Sequence, residues 1–291
     1  MPVTGLTFSP DGTQLVSTAD DVSVRLWDVE TGETLDESFE HITFVKGVAI
    51  HPDGTQMVTA SWDRSVIVWD VTSNLLTPLE TLTGFQAVVE RVTYSPDGSE
   101  FAFGVGDGTV VIHDAESLER LRELPLDSFV TALAYSPDGA LLATAEGFPG
   151  DAAHIWSGEA QIATLTGHEG SITALHFVDA DEGYRLISGG DDGTVRVWDV
   201  SAEGDVTTGA SVTLNAGDWV TAAAVHGDLI AVGTLEGTLQ LYQIDAVGAL
   251  SPVETQLLEG VVNVLAFDAE GTRLAAGDST GTITVWQVGP A

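Results

Sequence analysis

The chain is predicted to be all-β and to form a seven-bladed β-propeller, on two observations. An aromatic-centred mark recurs along its whole length, and turn signals divide each interval into short strands. The marks are Leu26-Trp27-Asp28, Val68-Trp69-Asp70, Ile112-His113-Asp114, Ile155-Trp156-Ser157, Val197-Trp198-Asp199, Leu241-Tyr242-Gln243 and Val285-Trp286-Gln287, spaced 42 to 44 residues apart. A repeat of that length with four short strands is the period of a propeller blade. Seven such units take up nearly all 291 residues, so one domain is expected over 1–291. The blades fall near 1–40, 41–83, 84–125, 126–167, 168–215, 216–258 and 259–291.

Each unit reads as an inner strand, a turn, a second strand, a tight turn and a third strand that ends at the mark. A looser outer strand follows. In blade 1 the inner strand is Val3 to Phe8 and the turn is Ser9-Pro10-Asp11-Gly12. The Pro-Asp-Gly core returns at Pro52-Asp53-Gly54, Pro96-Asp97-Gly98 and Pro137-Asp138-Gly139. Proline presets the turn dihedral and glycine takes the positive φ that follows, so the signal has a mechanism. Blade 7 keeps only Ala269-Glu270-Gly271, and blade 6 shortens the turn to His226-Gly227-Asp228. Blade 5 is expected to lengthen it, over Asp179-Ala180-Asp181-Glu182-Gly183. β-Branched alternation marks the later strands, as in Thr194-Val195-Arg196-Val197-Trp198, and no long helix is expected.

The stretch Thr166-Gly167-His168, then Ile172 and Leu175, then Leu186 through Asp199, resembles a repeat of the WD (tryptophan–aspartate) family. Blade 2 is similar, through His41, Thr59, Asp63, Trp69 and Asp70, and blade 1 carries Ser17, Asp21 and Trp27. The resemblance covers essentially the whole chain. It implies a buried hydrogen-bond set joining a loop histidine, a second-strand Ser or Thr, a turn Asp and the third-strand Trp. Two complete sets result: His41/Thr59/Asp63/Trp69 and His168/Ser188/Asp192/Trp198. Other blades depart from it, with Phe85, Phe103 and His113 in blade 3, a longer turn Glu146 to Asp151 in blade 4, Ala216, Val232, Glu236 and Tyr242 in blade 6, and Leu258, Ala276 and Thr280 in blade 7. These blades are expected to rely on apolar packing. In the family, sequence ahead of the first inner strand usually completes the last blade. Here Met1-Pro2 runs directly into that strand, so blade 7 is expected to lack its outer strand from this chain.

Composition narrows the function. Forty-four acids face nine bases, giving a formal charge of −35, and Lys46 is the sole lysine. Such a field repels phosphate backbones and anionic lipid, so neither nucleic acid nor a membrane is an expected partner. The acids spread through every blade, which reads as a solvated surface and fits a halophilic adaptation. The absence of cysteine excludes disulfides and thiolate chemistry. No basic region followed by an apolar run opens the chain, and the expected location is cytoplasmic. His168, Ser188 and Asp192 are the residue types of a nucleophilic triad, but a hydroxyl between strands beneath a tryptophan lacks the exposure that catalysis needs. The seven histidines are scattered without ligand spacing, so no metal and no cofactor is expected.

Recognition remains. The resemblance places the channel entrance at residues flanking the first apolar position of each inner strand, and at the residue before the turn Asp. Phe44, Lys46, Trp62, Phe129, Phe148 and Trp219 map there, with Asp20, Glu90 and Asp191 as the acidic members. Aromatics on a polar-rimmed concave face are usual anchors for a partner. The expectation is a non-enzymatic scaffold that binds a protein or peptide, with the carboxylates favouring a basic group. Two alternatives stand beside it: an interaction or sensor unit of a larger prokaryotic signalling protein, whose remainder supplies the missing strand, and an enzyme propeller with a channel ligand or metal.

Overall fold

Four Pro-Asp-Gly turns show how the sequence folds each repeat back on itself. In the first, the Gly12 N–H donates to Ser9 O (2.8 Å) and Gly12 takes a φ of 67°. The Asp11 carboxylate accepts from the Ser9 hydroxyl (2.6 Å) and the Thr13 N–H (3.0 Å), locking the turn that joins the first two strands. The same backbone bond recurs at Gly54, Gly98 and Gly139.

The computed structural model describes residues 1–213, 217–246 and 248–289. Blade 1 contains β1 (Val3–Phe8), β2 (Gln14–Ala19), β3 (Val24–Asp28) and β4 (Thr34–Ser38). Blade 2 contains β5 (Val45–Ile50), β6 (Gln56–Ser61), β7 (Ser65–Asp70) and β8 (Thr77–Leu82). Blade 3 contains β9 (Val89–Tyr94), β10 (Glu100–Val105), β11 (Thr109–Asp114) and β12 (Arg120–Pro125). Blade 4 contains β13 (Val130–Tyr135), β14 (Leu142–Glu146), β15 (Ala153–Ser157) and β16 (Ala160–Leu165). Blade 5 contains β17 (Ile172–Ala180), β18 (Gly183–Gly190), β19 (Thr194–Val200) and β20 (Val206–Thr213). Blade 6 contains β21 (Val220–His226), β22 (Leu229–Thr234), β23 (Thr238–Ile244) and β24 (Leu250–Leu257). Blade 7 contains β25 (Val262–Phe267), β26 (Arg273–Asp278) and β27 (Ile283–Gln287). Six sheets have four strands in sequence order, and the seventh has three. The molecule is thus all-β and seven-bladed, and no strand pairs with the outer side of β27 among the described residues. No helix is long and apolar enough to cross a membrane.

The apolar core lies between blades. Val16, Val24 and Leu26 of blade 1 pack on Val45, Met57, Ile67 and Trp69 of blade 2. Burying side chains of this size contributes about 1.5–3 kcal/mol each. Small residues let the blades approach. A Cβ added to Gly104, Gly189, Gly233 or Gly277 would lie 2.5, 2.6, 2.3 or 2.5 Å from the first valine of the next inner strand, Val130, Val220, Val262 or Val3. The last of these contacts closes the ring without a fourth strand in blade 7. One sequence expectation needs correction: the lengthened turn of blade 5 is a longer hairpin. Asp179 pairs with Tyr184 and Ala180 with Gly183, leaving only Asp181 and Glu182 to turn. Acidic and glycine-rich composition imitates a loop there, but the backbone ladder continues through it.

Candidate functional site: the channel mouth and its rim

Every inner strand carries a register shift at the same place, leaving Thr4, Lys46, Glu90, Thr131, Thr173, Thr221 and Asn263 as the bulged residues. A bulge re-aims its side chain. Five of these residues use that freedom to donate to a backbone carbonyl of the next blade. The bonds are Thr4 to Val45, Thr131 to Ile172 (2.5 Å), Thr173 to Val220 (2.7 Å), Thr221 to Val262 (2.5 Å) and the Asn263 amide to Val3 (3.1 Å). The result is a belt of polar bonds around the channel. Lys46 breaks it by turning back to blade 1, where its ammonium donates to the Asp20 carboxylate at 2.6 Å.

Just above the belt, one backbone bond repeats in all seven blades. The residue after each second strand donates its N–H to the carbonyl ahead of the inner strand: Asp20 to Pro2, Trp62 to Phe44, Gly106 to Val88, Gly147 to Phe129, Asp191 to Ser171, Leu235 to Trp219 and Ser279 to Val261, at 2.8–3.1 Å. These pairs form the rim. Large apolar side chains occupy blades 2, 4 and 6, and smaller or polar ones the blades between. Trp219 is 49% exposed, Trp62 38% and Phe44 and Phe129 36% each. Gly147 is glycine for a reason, since an added Cβ would lie 2.2 Å from the Phe129 ring. Phe148, 80% exposed, is anchored through its N–H to the Ser171 hydroxyl (2.9 Å).

Blade 2 assembles the densest part of the mouth. The Phe44 and Trp62 rings lie 5.4 Å apart at 56°, and the Lys46 ammonium sits 5.2 Å and 4.8 Å from their centroids. Asp20 neutralises the cation and two ring faces shield it, an arrangement that holds the lysine in one place. Asp20, Lys46, Trp62 and Glu90 line one cavity of about 420 Å³, together with Arg91. Phe44, Phe129, Phe148, Asp191 and Trp219 lie outside that cavity. Burial raises the Asp191 carboxyl above its ordinary value, the neighbouring Asp192 charge adds to this, and a hydrogen bond from Ser171 opposes it. Arg91 was absent from the rim expected from sequence. Its signal was available in the repeats, because the register-equivalent positions are Gly5, Gly47, Ala132, Ala174, Ala222 and Val264.

The two expected hydrogen-bond sets are both formed, away from the channel and between strands. In blade 5 the His168 Nδ1 is 3.0 Å from Asp192 Oδ2, Nε2 is 2.8 Å from the Ser188 hydroxyl, and the Trp198 indole N–H donates to that hydroxyl at 2.9 Å. A carboxylate only accepts, so Nδ1 carries the hydrogen, and in the neutral ring Nε2 accepts from Ser188. Burial lowers the His168 pKa despite Asp192, which keeps the ring neutral. Burial alone would raise Asp192; hydrogen bonds from the Glu169 N–H and Thr194 lead the opposing contributions, and the carboxyl comes down to about 2. Blade 2 repeats the geometry, with His41–Asp63 at 2.8 Å, His41–Thr59 at 2.8 Å and Trp69–Thr59 at 2.9 Å. Ser188 is 1% exposed and already accepts the indole N–H, so it has no access to a substrate. Blade 3 replaces the set by aromatic packing: the His113 ring lies 5.6 Å from Phe101 and 5.5 Å from Phe103, which meets Phe85 edge-on at 5.0 Å. Of the blade 6 positions, Ala216 lies outside the described residues. No group of three or more His, Asp or Glu able to hold a metal ion occurs among the described residues.

Seven radial sheets around a polar channel, two of them carrying the His–Ser/Thr–Asp–Trp set, define a propeller of the tryptophan–aspartate type. The family described as "WD domain, G-beta repeat" matches residues 1–28, 33–70, 76–114, 119–152, 159–199 and 253–287, and the chain belongs to it. Among curated proteins, the chain is 35% identical over 125 residues to "Pre-mRNA-processing factor 19 homolog 2" of Arabidopsis thaliana, a match covering 41% of this chain and 23% of that protein. It is 31% identical over 132 residues to "Small ribosomal subunit protein RACK1y" of Oryza sativa subsp. japonica, covering 42% of this chain and 38% of that one. The chain thus spans well under half the length of either relative. The solved "Structure of U3-55K" has the same fold, with a TM-score of 0.86, 22% identity and coverage of 99% of this chain and 96% of that one.

Proposed function

We infer that the chain is a non-catalytic docking platform whose rim captures a protein or peptide segment. The observation that carries this reading is the Phe44–Trp62 pair, exposed at the channel mouth beside Lys46, Asp20 and Glu90. Tilted aromatic faces next to charged groups supply apolar area and orientation together, which is what a binding hot spot needs. Trp219, Phe129 and Phe148 widen the contact around the ring. Asp20 is already neutralised by Lys46. Glu90 and Asp191 therefore favour a basic group on the partner, and Lys46 can serve an acidic one only by leaving Asp20. Ser188 is sealed within its hydrogen-bond set, which supports a scaffold over an enzyme. The charge of −35 disfavours nucleic acid and anionic membranes as partners.

The test is a double variant, Trp62→Ala with Trp219→Ala. Both side chains are substantially exposed, so the melting temperature should move by no more than a degree or two. Capture of partners from native lysate should fall sharply. Loss of melting temperature in step with loss of capture would show that the two residues serve the fold instead.

A second reading draws on blade 7. Among the described residues β27 is bonded to β26 alone, and a groove of about 270 Å³ separates it from blade 1, lined by Trp27, Leu15, Ile283 and Val285. An open edge flanked by apolar side chains invites a strand from elsewhere. Under this reading the propeller is the interaction or sensor unit of a larger prokaryotic signalling protein, and another part of that protein supplies the strand.

A further inference from the structure

The geometry points to a second site inside the ring: the axial channel binds a carboxylate through the guanidinium of Arg91. Independently of the rim reading, this rests on one break in the repeat. At the position that follows the bulge, six blades carry Gly5, Gly47, Ala132, Ala174, Ala222 and Val264, side chains that leave the channel open. The third blade alone puts an arginine there. Arg91 lines both the mouth and the deeper section of the channel, which has a volume of about 210 Å³.

The guanidinium is held but not satisfied. Its Nε–H donates to Thr131 O at 2.7 Å, taking over the link to blade 4 that Glu90, a carboxylate, cannot make. That bond fixes the plane of the fork, while the terminal Nη groups have no hydrogen-bond partner or carboxylate within salt-bridge distance among the described residues. The contrast with the other arginines is informative in a chain so rich in acids. Arg25, Arg120, Arg122, Arg185 and Arg273 each hold a carboxylate. Arg64 is exposed on a turn, and Arg196 leans on the Thr194 hydroxyl. Protein surrounds Arg91 closely enough that burial lowers its pKa, with the charge of Glu90 opposing that shift, yet the side chain stays in contact with channel solvent.

The shape and charge of the donor set select the ligand class. Two coplanar N–H groups match the two oxygens of a carboxylate, which accepts a paired bond from an arginine fork. A monoanion is also the anion least opposed by the field of a chain with a net charge of −35. Nearby charges are disposed compatibly. Asp20 is neutralised by Lys46, which lines the same channel section, so Glu90 is the principal opposing charge. The hydroxyls of Thr4, Thr173 and Thr221 are committed to carbonyls of the belt. Arg91 therefore supplies the specific contact. The carboxylate is either a free small anion or an acidic side chain reaching in through the mouth.

Two probes separate those sources: sodium acetate, and an N-acetylated, C-amidated Gly-Glu-Gly tripeptide whose only carboxylate is its side chain. Each is titrated against sodium chloride at constant ionic strength, following the melting temperature and the ¹⁵N resonance of the arginine Nε–H groups. Expected is a saturable rise in melting temperature, with one Nε–H resonance shifting in parallel and vanishing from the spectrum of Arg91→Gln. That variant keeps an amide donor for Thr131 O and should bind about tenfold more weakly or worse. Saturation by acetate marks a free anion, and saturation by the tripeptide alone marks a side chain; either supports the site. No saturable response in the unmodified protein overturns the proposal without relying on any variant. Equal binding by Arg91→Gln, or inorganic phosphate binding as tightly as either carboxylate, overturns it as well.

Discussion

Thr59 and Ser17 stand at the same place in neighbouring blades and accept the same indole N–H, yet they should not be worth the same. Thr59 accepts from Trp69 and bonds His41, both buried, so Thr59→Val leaves two polar atoms without partners. Among the described residues Ser17 serves only the Trp27 indole (2.8 Å), and that ring is partly exposed, so water can replace the hydroxyl. The cost should be about 2 kcal/mol or more for Thr59→Val and about 1 kcal/mol or less for Ser17→Ala. Denaturant midpoints measured side by side decide it, and equal losses would count against the set as a cooperative unit. The two complete sets were legible in the sequence because Thr59, Asp63 and Trp69 share their spacing with Ser188, Asp192 and Trp198, and a histidine falls 18 or 20 residues ahead of the hydroxyl in the same repeat. The pairing of Lys46 with Asp20 was not, since it joins two blades and depends on a bulge that no local pattern announces. Arg91 was legible only once the inner strands were in register.

At the scale of the element, β27 is the exception among the third strands. β7 is bonded to β6 on one side and β8 on the other, whereas among the described residues β27 has β26 alone. Its outward N–H groups therefore exchange from a single-sided ladder, and Val285 is 38% exposed where Val68 of β7 is fully buried. Native-state hydrogen exchange should find β27 amides more than about tenfold faster than those of β7. Adding a segment that pairs with the edge should slow them. Protection of β27 equal to that of β7 in the isolated chain would remove the reason to look for a missing strand. Strand count was legible here because Pro-Asp-Gly turns and aromatic marks punctuate each blade. The blade 5 hairpin was misread for a physical reason: composition reports local turn preference, while Ala180 and Gly183 are held by bonds across the ladder.

For the whole molecule, charge is the dominant long-range term. Forty-four acids face nine bases, and six of those bases already sit in ion pairs with Asp or Glu. Most carboxylates thus have no counter-charge, and folding brings them together on one closed ring. The repulsion weakens as the Debye length contracts from about 30 Å at 0.01 M to about 10 Å at 0.1 M and 3 Å at 1 M. Unfolding separates the charges, so screening should favour the folded state and raise the melting temperature. The shape of that rise identifies its cause. Screening acts mostly below a few tenths molar and then levels off, whereas exclusion of salt from apolar surface grows steadily with concentration and is stronger for sulfate than chloride. Melts in sodium chloride from 0.01 to 2 M should climb steeply at first and flatten, with chloride and sulfate coinciding at equal ionic strength in the early part. A flat profile would mean that the acidic surface is already solvated without strain, and a purely linear one would transfer the salt effect from the carboxylates to the apolar core.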